Sequence, residues 1–268
     1  MDARLFLSAG AGMALAGSAL GGVSAGTMFV TSGSTLFRID GGSVETFDIG
    51  VELNSLSFDG QGRLWGTESA DDDGNGRRGL YEITDPFGVG LGSLSHGDFL
   101  PGRAGSLSFF ENQLMAFDTT NGKLLGINAP GRTTTELGVL GDPSTRPQSS
   151  AYDDVNDVLY GVRGSKLYSI SLTPGYSQTE IATITGTTGG NGPMGGEWFD
   201  GSYYHSINDG KMLKIYTLNV TSGVLSEAFS FEVDGKGGSG FAMGTPVPAP
   251  AGAGALALAG LLTTRRRR

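Results

Sequence analysis

Cysteine is absent from this chain of 268 residues, and histidine is nearly so, with two residues. The lack of cysteine excludes disulfide bonds, thiolate nucleophiles and cysteine metal sites together. Two histidines without a repeated His/Asp partner do not make a metal centre. Secreted proteins are free to form disulfides without being obliged to, so a location outside the cell remains open.

Charged residues are also scarce, at 17% of the chain, and acidic ones dominate, giving a formal net charge of −9. Between residues 27 and 246 the imbalance grows to 26 acidic against 13 basic groups. A body this acidic repels nucleic acid and anionic lipid, and it attracts cations or basic partners. Ordinary solubility charge would produce the same imbalance. We therefore expect no nucleic-acid partner.

Glycine, by contrast, is abundant at 47 residues but lacks the three-residue period of collagen. Short aromatic and aliphatic clusters recur between glycine-rich turns, which predicts many short strands. The first strand of each recurring unit ends in an aromatic anchor, and successive anchors lie 51, 43, 46 and 43 residues apart: Phe58, Phe109, Tyr152, Trp198 and Phe241. A period of about 40 to 50 residues with four strands is typical of a β-propeller blade.

The two ends of the repeat region complement one another. Residues 27–49 supply second, third and fourth strands without a first, and residues 238–243 supply a first strand without the rest. Joining them predicts an all-β propeller of five four-stranded blades, one of them shared between the chain ends. Two alternatives are a β-sandwich, and a six-bladed ring if residues 86–103 contain extra strands.

Residues 1–25 are typical of an export signal. Arg4 precedes an apolar stretch from Leu5 to about Leu20, and Val23, Ser24 and Ala25 offer the small residues that signal peptidase requires. We expect signal peptidase to cleave after Ala25. The segment has no polar face, which disfavours an ordinary helix of the fold.

The other end has three parts in order: a proline motif, an apolar run over residues 251–262, and an arginine cluster. The motif is Val247, Pro248, Ala249 and Pro250, and the cluster is Arg265, Arg266, Arg267 and Arg268. A 12-residue helix would reach about 18 Å against a hydrocarbon core of about 30 Å, so it would make a weak, transient anchor. The arginines would stay cytoplasmic and leave the body outside.

This order resembles the PEP-CTERM sorting signal, in a variant that lacks the usual glutamate between the prolines. The resemblance covers residues 246–268 and implies processing by an exosortase-type membrane protease, in bacteria that make extracellular polysaccharide. The predicted organisation is a signal peptide over 1–25, a propeller over 26–245 and a sorting signal over 246–268. The expected location is the cell envelope or the extracellular matrix.

The sharpest local motif fits D-x-[DN]-x-[DN]-G-x₅-E. Asp71, Asp73 and Asn75 alternate, Gly76 permits a sharp bend, and Glu82 occupies the twelfth position. Calcium prefers six to eight such hard oxygens, so the motif predicts a calcium site on a strand-to-strand loop. A solvated acidic turn is the alternative.

The remaining candidates are interpreted structurally. His96 and His205 are expected to be packing or surface residues, and Trp65 and Trp198 to lie in the core, with sugar stacking as the alternative. The predicted function is a non-catalytic binding or structural module that holds extracellular polysaccharide or another surface protein. The alternative is a secreted hydrolase, lyase or lactonase that acts on glycans or small molecules, with catalytic groups around the axis.

Overall fold

The computed structural model describes residues 26–69, 77–88, 94–101, 104–110, 113–118, 121–140, 147–173, 176–186, 195–208, 211–233 and 240–244. Their strands form five antiparallel sheets of four strands each, which we number as blades in chain order. The chain is a five-bladed β-propeller, as predicted. The innermost strands of neighbouring blades contact one another around a common axis.

Blade 1 combines both ends of the described chain, in the order β20 (Phe241–Gly244), β1 (Thr27–Ser32), β2 (Thr35–Asp40) and β3 (Ser43–Asp48). The other blades run from the axis outwards in chain order. Blade 2 contains β4 (Leu53–Phe58), β5 (Leu64–Glu68), β6 (Arg77–Ile83) and β7 (Leu94–Pro101). Blade 3 contains β8 (Ala104–Phe110), β9 (Gln113–Asp118), β10 (Lys123–Asn128) and β11 (Thr133–Val139).

Blade 4 contains β12 (Ser149–Asp153), β13 (Val158–Arg163), β14 (Lys166–Ile170) and β15 (Gln178–Thr183). Blade 5 contains β16 (Gly195–Phe199), β17 (Ser202–Asn208), β18 (Met212–Leu218) and β19 (Leu225–Glu232). Residues 86–103 contribute β7, the fourth strand of blade 2, and this placement removes the six-bladed alternative.

The closing blade corrects one detail of the predicted repeat. Met243 pairs with Met28 and Phe241 pairs with Val30. In blade 2 the anchor Phe58 pairs with Leu64, which faces Ile83 of the third strand, just as Met28 faces Ile39 in blade 1. Met243 is therefore the structural equivalent of the aromatic anchors, and Phe241 lies two residues earlier on the same face of the strand.

The core consists of five hydrophobic clusters, and each cluster fills one junction between neighbouring blades. Leading members are Phe241 and Phe231 between blades 5 and 1, Phe29 and Leu56 between 1 and 2, Leu80 and Leu107 between 2 and 3, Phe117 and Ile170 between 3 and 4, and Tyr160 and Tyr203 between 4 and 5. The fourth strands of blades 1, 3 and 4 contain only exposed and half-buried residues, as expected for the rim of a sheet, whereas β19 of blade 5 also buries Leu225, Phe229 and Phe231.

The ring has two faces. We call the face at which the inner strands begin the upper face and the opposite one the lower face. Strand β1 begins where β20 ends, because Thr27 pairs with Gly244, so both ends of the described body lie on the lower face. Residues 1–25 and 245–268 lie outside the described residues. No helix among the described residues is long and apolar enough to cross a membrane.

Candidate functional site at the ring axis

Side-chain hydrogen bonds near the upper end of the inner strands join every neighbouring pair of blades. Each bond is 3.1 Å or shorter: Thr31 to the Leu53 carbonyl, Ser55 to the Leu107 amide, Ser150 to Ser106 and Ser108, Ser149 to the Tyr203 hydroxyl, and Asn208 to Ser32. We call this set the axial hydrogen-bond ring. Its members are buried, and polar groups in that position require such partners.

The junction of blades 3 and 4 shows how the backbone aims these groups. The Oγ atom of Ser150 lies 2.6 Å from the Oγ atoms of both Ser106 and Ser108. Ser106 has a positive φ of 49° and lies where the register of β8 against β9 shifts. A β-bulge re-aims the side chain of its extra residue. The bulge therefore lets two serines of one strand share a single hydroxyl of the next blade.

Blade 5 departs from the pattern of the first three blades at the level of Leu56. In those blades a large inner residue faces a smaller one on the second strand: Leu56 with Gly66, Leu107 with Ala116, and Phe241 with Val30. In blade 5 the sizes are reversed, since Gly196 faces His205. The hydroxyl of Tyr203 occupies the space above Gly196, because a Cβ there would lie 2.5 Å from it.

His205 is enclosed by this arrangement, with 1% of its surface exposed. Its Nδ1 atom has no hydrogen-bond partner, and its ring centroid lies 6.3 Å from that of Tyr203. Burial disfavours the imidazolium and lowers the pKa of His205 to about 3. His205 is therefore neutral at pH 7, and of the two placements expected for it, packing or surface, the structure shows the buried one.

Glu197 follows Gly196 on β16, so its side chain lies on the opposite face of the strand, and it pairs with Tyr204. Its Oε2 atom is buried without a hydrogen-bond partner. Burial raises the pKa of Glu197 well above its usual value, although a backbone hydrogen bond from Trp198 opposes the shift. Burial also raises the pKa of Tyr203, and the nearby Glu197 charge adds to that shift. Three ionisable groups on one hairpin are thus poorly solvated, with Tyr203 and His205 on one face of the sheet and Glu197 on the other.

The two tryptophans of the repeat hold core positions. Trp65 is buried, and its Nε1 donates to Asp59 at 2.9 Å. Trp198 is half-buried and stacks on Tyr160 with ring centroids 5.5 Å apart. Its Nε1 is buried without a hydrogen-bond partner. The polar atoms that lack partners therefore concentrate on the first hairpin of blade 5.

The predicted calcium motif is described at one of its four positions. Glu82 lies within β6, half-buried and paired with Trp65. Arg78 lies at the end of β6 that is next to residues 70–76. Glu82 lies about 13 Å further along the strand. Asp71, Asp73 and Asn75 lie outside the described residues. Among the described residues, no group of three or more His, Cys, Asp or Glu side chains could hold a metal ion.

The proline motif over residues 247–250 and the arginines over residues 265–268 also lie outside the described residues. Sequence reasoning missed Glu197 as a site residue. A signal for it was present, because Gly195-Gly-Glu-Trp198 departs from the Ser-Leu-Ser-Phe order of β4 and β8 by placing a carboxylate in an inner strand.

No protein-family model matches this chain, and no curated protein matches it. Solved structures share its fold. A chain of a nidogen/laminin complex gives a TM-score of 0.52 at 9% identity and covers 82% of this chain and 98% of its own length. An auxiliary nutrient binding protein from Bacteroides ovatus gives 0.51 at 12% identity over 78% of this chain. This chain spans about half of that protein, 54%.

Proposed function

We propose that the chain is an exported, non-catalytic binding or structural propeller of the cell envelope or extracellular matrix. The axial hydrogen-bond ring carries this proposal. Polar groups from all five blades meet near the axis and are consumed in holding the blades together. Such a hub leaves partner binding to the faces of the ring. The nidogen/laminin complex contains a chain of similar fold, which supports protein binding as a use for a propeller of this size.

Export and sorting follow from the terminal segments of the sequence. Signal peptidase would remove residues 1–25, and residues 251–262 would anchor the chain transiently in the inner membrane until an exosortase-type protease acts near Pro250. Both body ends lie on the lower face, which would then face the membrane. The upper face would point away from it, available to extracellular polysaccharide or to another surface protein.

A calcium site at Asp71, Asp73 and Asn75 remains part of the proposal, and Glu82, about 13 Å along β6 from Arg78, is the residue of the motif that its placement favours least. Strand β5 ends and β6 begins on the upper face, so the residues between them connect at the face proposed for partner binding. Calorimetry with calcium chloride should give binding in the wild type, and Asp71→Ala should lose the loop's binding event, which Glu197→Gln should retain. A Glu82→Gln variant separates the two parts of the motif, since unchanged binding would remove Glu82 from the ligand set.

The intact mass of the protein recovered outside its host cell tests the export proposal. We expect a species that has lost residues 1–25 and has been cut near Pro250. A matched variant, Pro248→Ala/Pro250→Ala, should retain the C-terminal segment while still losing the N-terminal one. Recovery of the wild type as the full chain inside the cell would overturn the proposal.

One observation favours the enzyme alternative. Glu197 and His205 are ionisable, lie on the first hairpin of blade 5 and have strongly shifted pKa values, and such shifts are frequent at catalytic sites. A secreted hydrolase, lyase or lactonase built on them would lose activity in both Glu197→Gln and His205→Asn. Turnover of an ester, lactone or polysaccharide substrate by the wild type, absent from both variants, would establish this alternative.

A further inference from the structure

Glu197 occupies a position that the other four blades fill with small side chains. The pairing registers align it with Ser57, Ser108, Ala151 and Ala242. Those four residues are buried and carry no charge. Among the described residues, blade 5 alone brings an ionisable group to this level of the inner strands. The substitution is not required by blade geometry, because the same strand forms four times without it.

The carboxyl group is enclosed but still reachable. Strand β16 contacts β4 and β8, the inner strands of two blades that are not its neighbours, so it lies close to the axis. Burial is deep enough to shift the pKa of Glu197 strongly. The side chain nevertheless retains some accessible surface, although its Oε2 atom has none.

No described basic residue neutralises this carboxyl group. Arg38, Arg63, Lys123 and Lys166 form ion pairs with other acids, and burial and a backbone hydrogen bond from Trp198 act on the pKa of Glu197. His205 is neutral at pH 7 because of its lowered pKa. A buried carboxylate without a partner costs several kcal/mol, so it either keeps its proton or acquires a counter-charge. The acidic body raises the local concentration of cations that could supply that charge.

We propose that Glu197 anchors a small-cation site at the axis of the ring, separate from the predicted calcium loop. The shared chemistry is a compact positive group within reach of one carboxylate, either a metal ion or the ammonium of a small amine. A cation stabilises the ionised carboxylate, so binding lowers the pKa of Glu197 and releases its proton. The site would thus couple cation binding to proton release.

Calorimetry on the full chain at pH 6 tests this inference. Calcium chloride and methylammonium chloride are titrated separately, each in two buffers with different heats of ionisation, which reports the protons released. We expect at least one of the two cations to bind with release of a fraction of a proton up to about one. Calcium alone would identify a metal site, and methylammonium alone an amine site.

Glu197→Gln keeps the shape of the side chain and removes its charge. It should weaken binding at least tenfold and abolish the proton release. Glu180→Gln is the matched control, since Glu180 is an exposed partner of Lys166 and should leave both quantities unchanged. Asp71→Ala should likewise retain the axial event, which separates it from the calcium loop.

Three results would overturn the proposal: no binding of either cation, binding without proton release, or unchanged binding in Glu197→Gln. If Glu197→Gln fails to give the near-ultraviolet circular dichroism of the wild type, the proton count of the wild type decides alone. A loss of binding in Asp71→Ala instead would assign the event to the loop and sink the axial site.

Discussion

The ring axis has an apolar half and a polar half. In blades 1, 2 and 3, the inner strands present Phe241, Leu56 and Leu107 to smaller residues of the second strand. In blades 4 and 5, the same level holds Ser150 and Gly196. Hydroxyl contacts and hydrophobic clusters join the blades in both halves, but at this level the apolar half buries large side chains, whereas the polar half carries the ionisable groups with shifted pKa values.

This difference shows how a repeat fold can vary in one sector without losing its shape. The four strands of every blade and the bonds between neighbouring blades are retained around the ring. Inner-strand packing is relaxed in blades 4 and 5, where Gly196 makes room for the Tyr203 hydroxyl and the opposite residue is His205. The sector with smaller inner residues is also the one that carries Glu197 and His205.

The largest expected effect is in the apolar half. Leu56→Ala removes a buried side chain that packs between blades 1 and 2, and we expect a loss of about 2–5 kcal/mol in the free energy of unfolding. Leu107→Ala should behave alike at the next junction. Denaturant unfolding followed by circular dichroism measures both. Losses below about 1 kcal/mol in both variants would break the distinction between the two halves.

Acid should destabilise the polar half through His205. The pKa of His205 falls from 6.5 to about 3 on folding. The stability that depends on a neutral His205 is therefore complete above pH 6.5 and is lost as the pH falls towards 3. The loss reaches about 3 kcal/mol by pH 4. In His205→Phe this part of the acid limb should vanish, and His96→Phe should retain it. Parallel stability–pH curves for wild type and His205→Phe would refute the assigned shift.

Glycine 196 should be intolerant of any side chain. A Cβ there would lie 2.5 Å from the Tyr203 hydroxyl and 3.3 Å from the Ser149 hydroxyl. We expect Gly196→Ala to cost about 1–3 kcal/mol through overpacking. Tyr203→Phe removes the clashing oxygen, so the double variant should lose less than the two single variants combined. Strict additivity in this double-mutant cycle would show that the two residues are not coupled.

The smallest expected effect concerns the hydroxyl contacts. Ser150→Ala removes a partner of both Ser106 and Ser108 and should cost about 1–2 kcal/mol. Ser57→Ala is the control, because the Ser57 hydroxyl bonds only the adjacent Phe58 carbonyl, at 3.3 Å, and its loss should matter less. Thermal unfolding ranks the two variants. Equal midpoints would deny the hydroxyl cluster a role in joining blades 3 and 4.

Much of the fold was predictable, because the blade repeat appears in the sequence as aromatic anchors with regular spacing. The predicted set of four strands is present in every blade, with β11 (Thr133–Val139) as the fourth strand of blade 3. The anchor in β20 was misplaced by two residues. Met243 holds the anchor position without being aromatic, and the aromatic Phe241 lies two residues earlier. Strand β7 was not identified because Leu94–Pro101 contains Gly, Asp and Pro, which disfavour strands.

The candidate site was much less predictable. His205 carries no motif, and its significance depends on the pairing that sets it opposite Gly196, which is visible only once the register is known. The axial hydrogen-bond ring joins residues up to 176 positions apart, such as Asn208 and Ser32. No local pattern encodes contacts of that separation. Glu197 was the exception, because a carboxylate within an inner strand is already anomalous in the sequence.

Two buried ionisable groups, Glu197 and His205, distinguish the polar half of the axis. A side-chain NMR titration of both groups in the folded chain tests their burial. The account predicts that His205 stays neutral until the pH nears about 3. It also predicts that Glu197, in cation-free buffer, keeps its proton at pH values where an exposed glutamate has lost it. Ordinary titration of both groups would contradict the account, because it would place them in water rather than inside the ring.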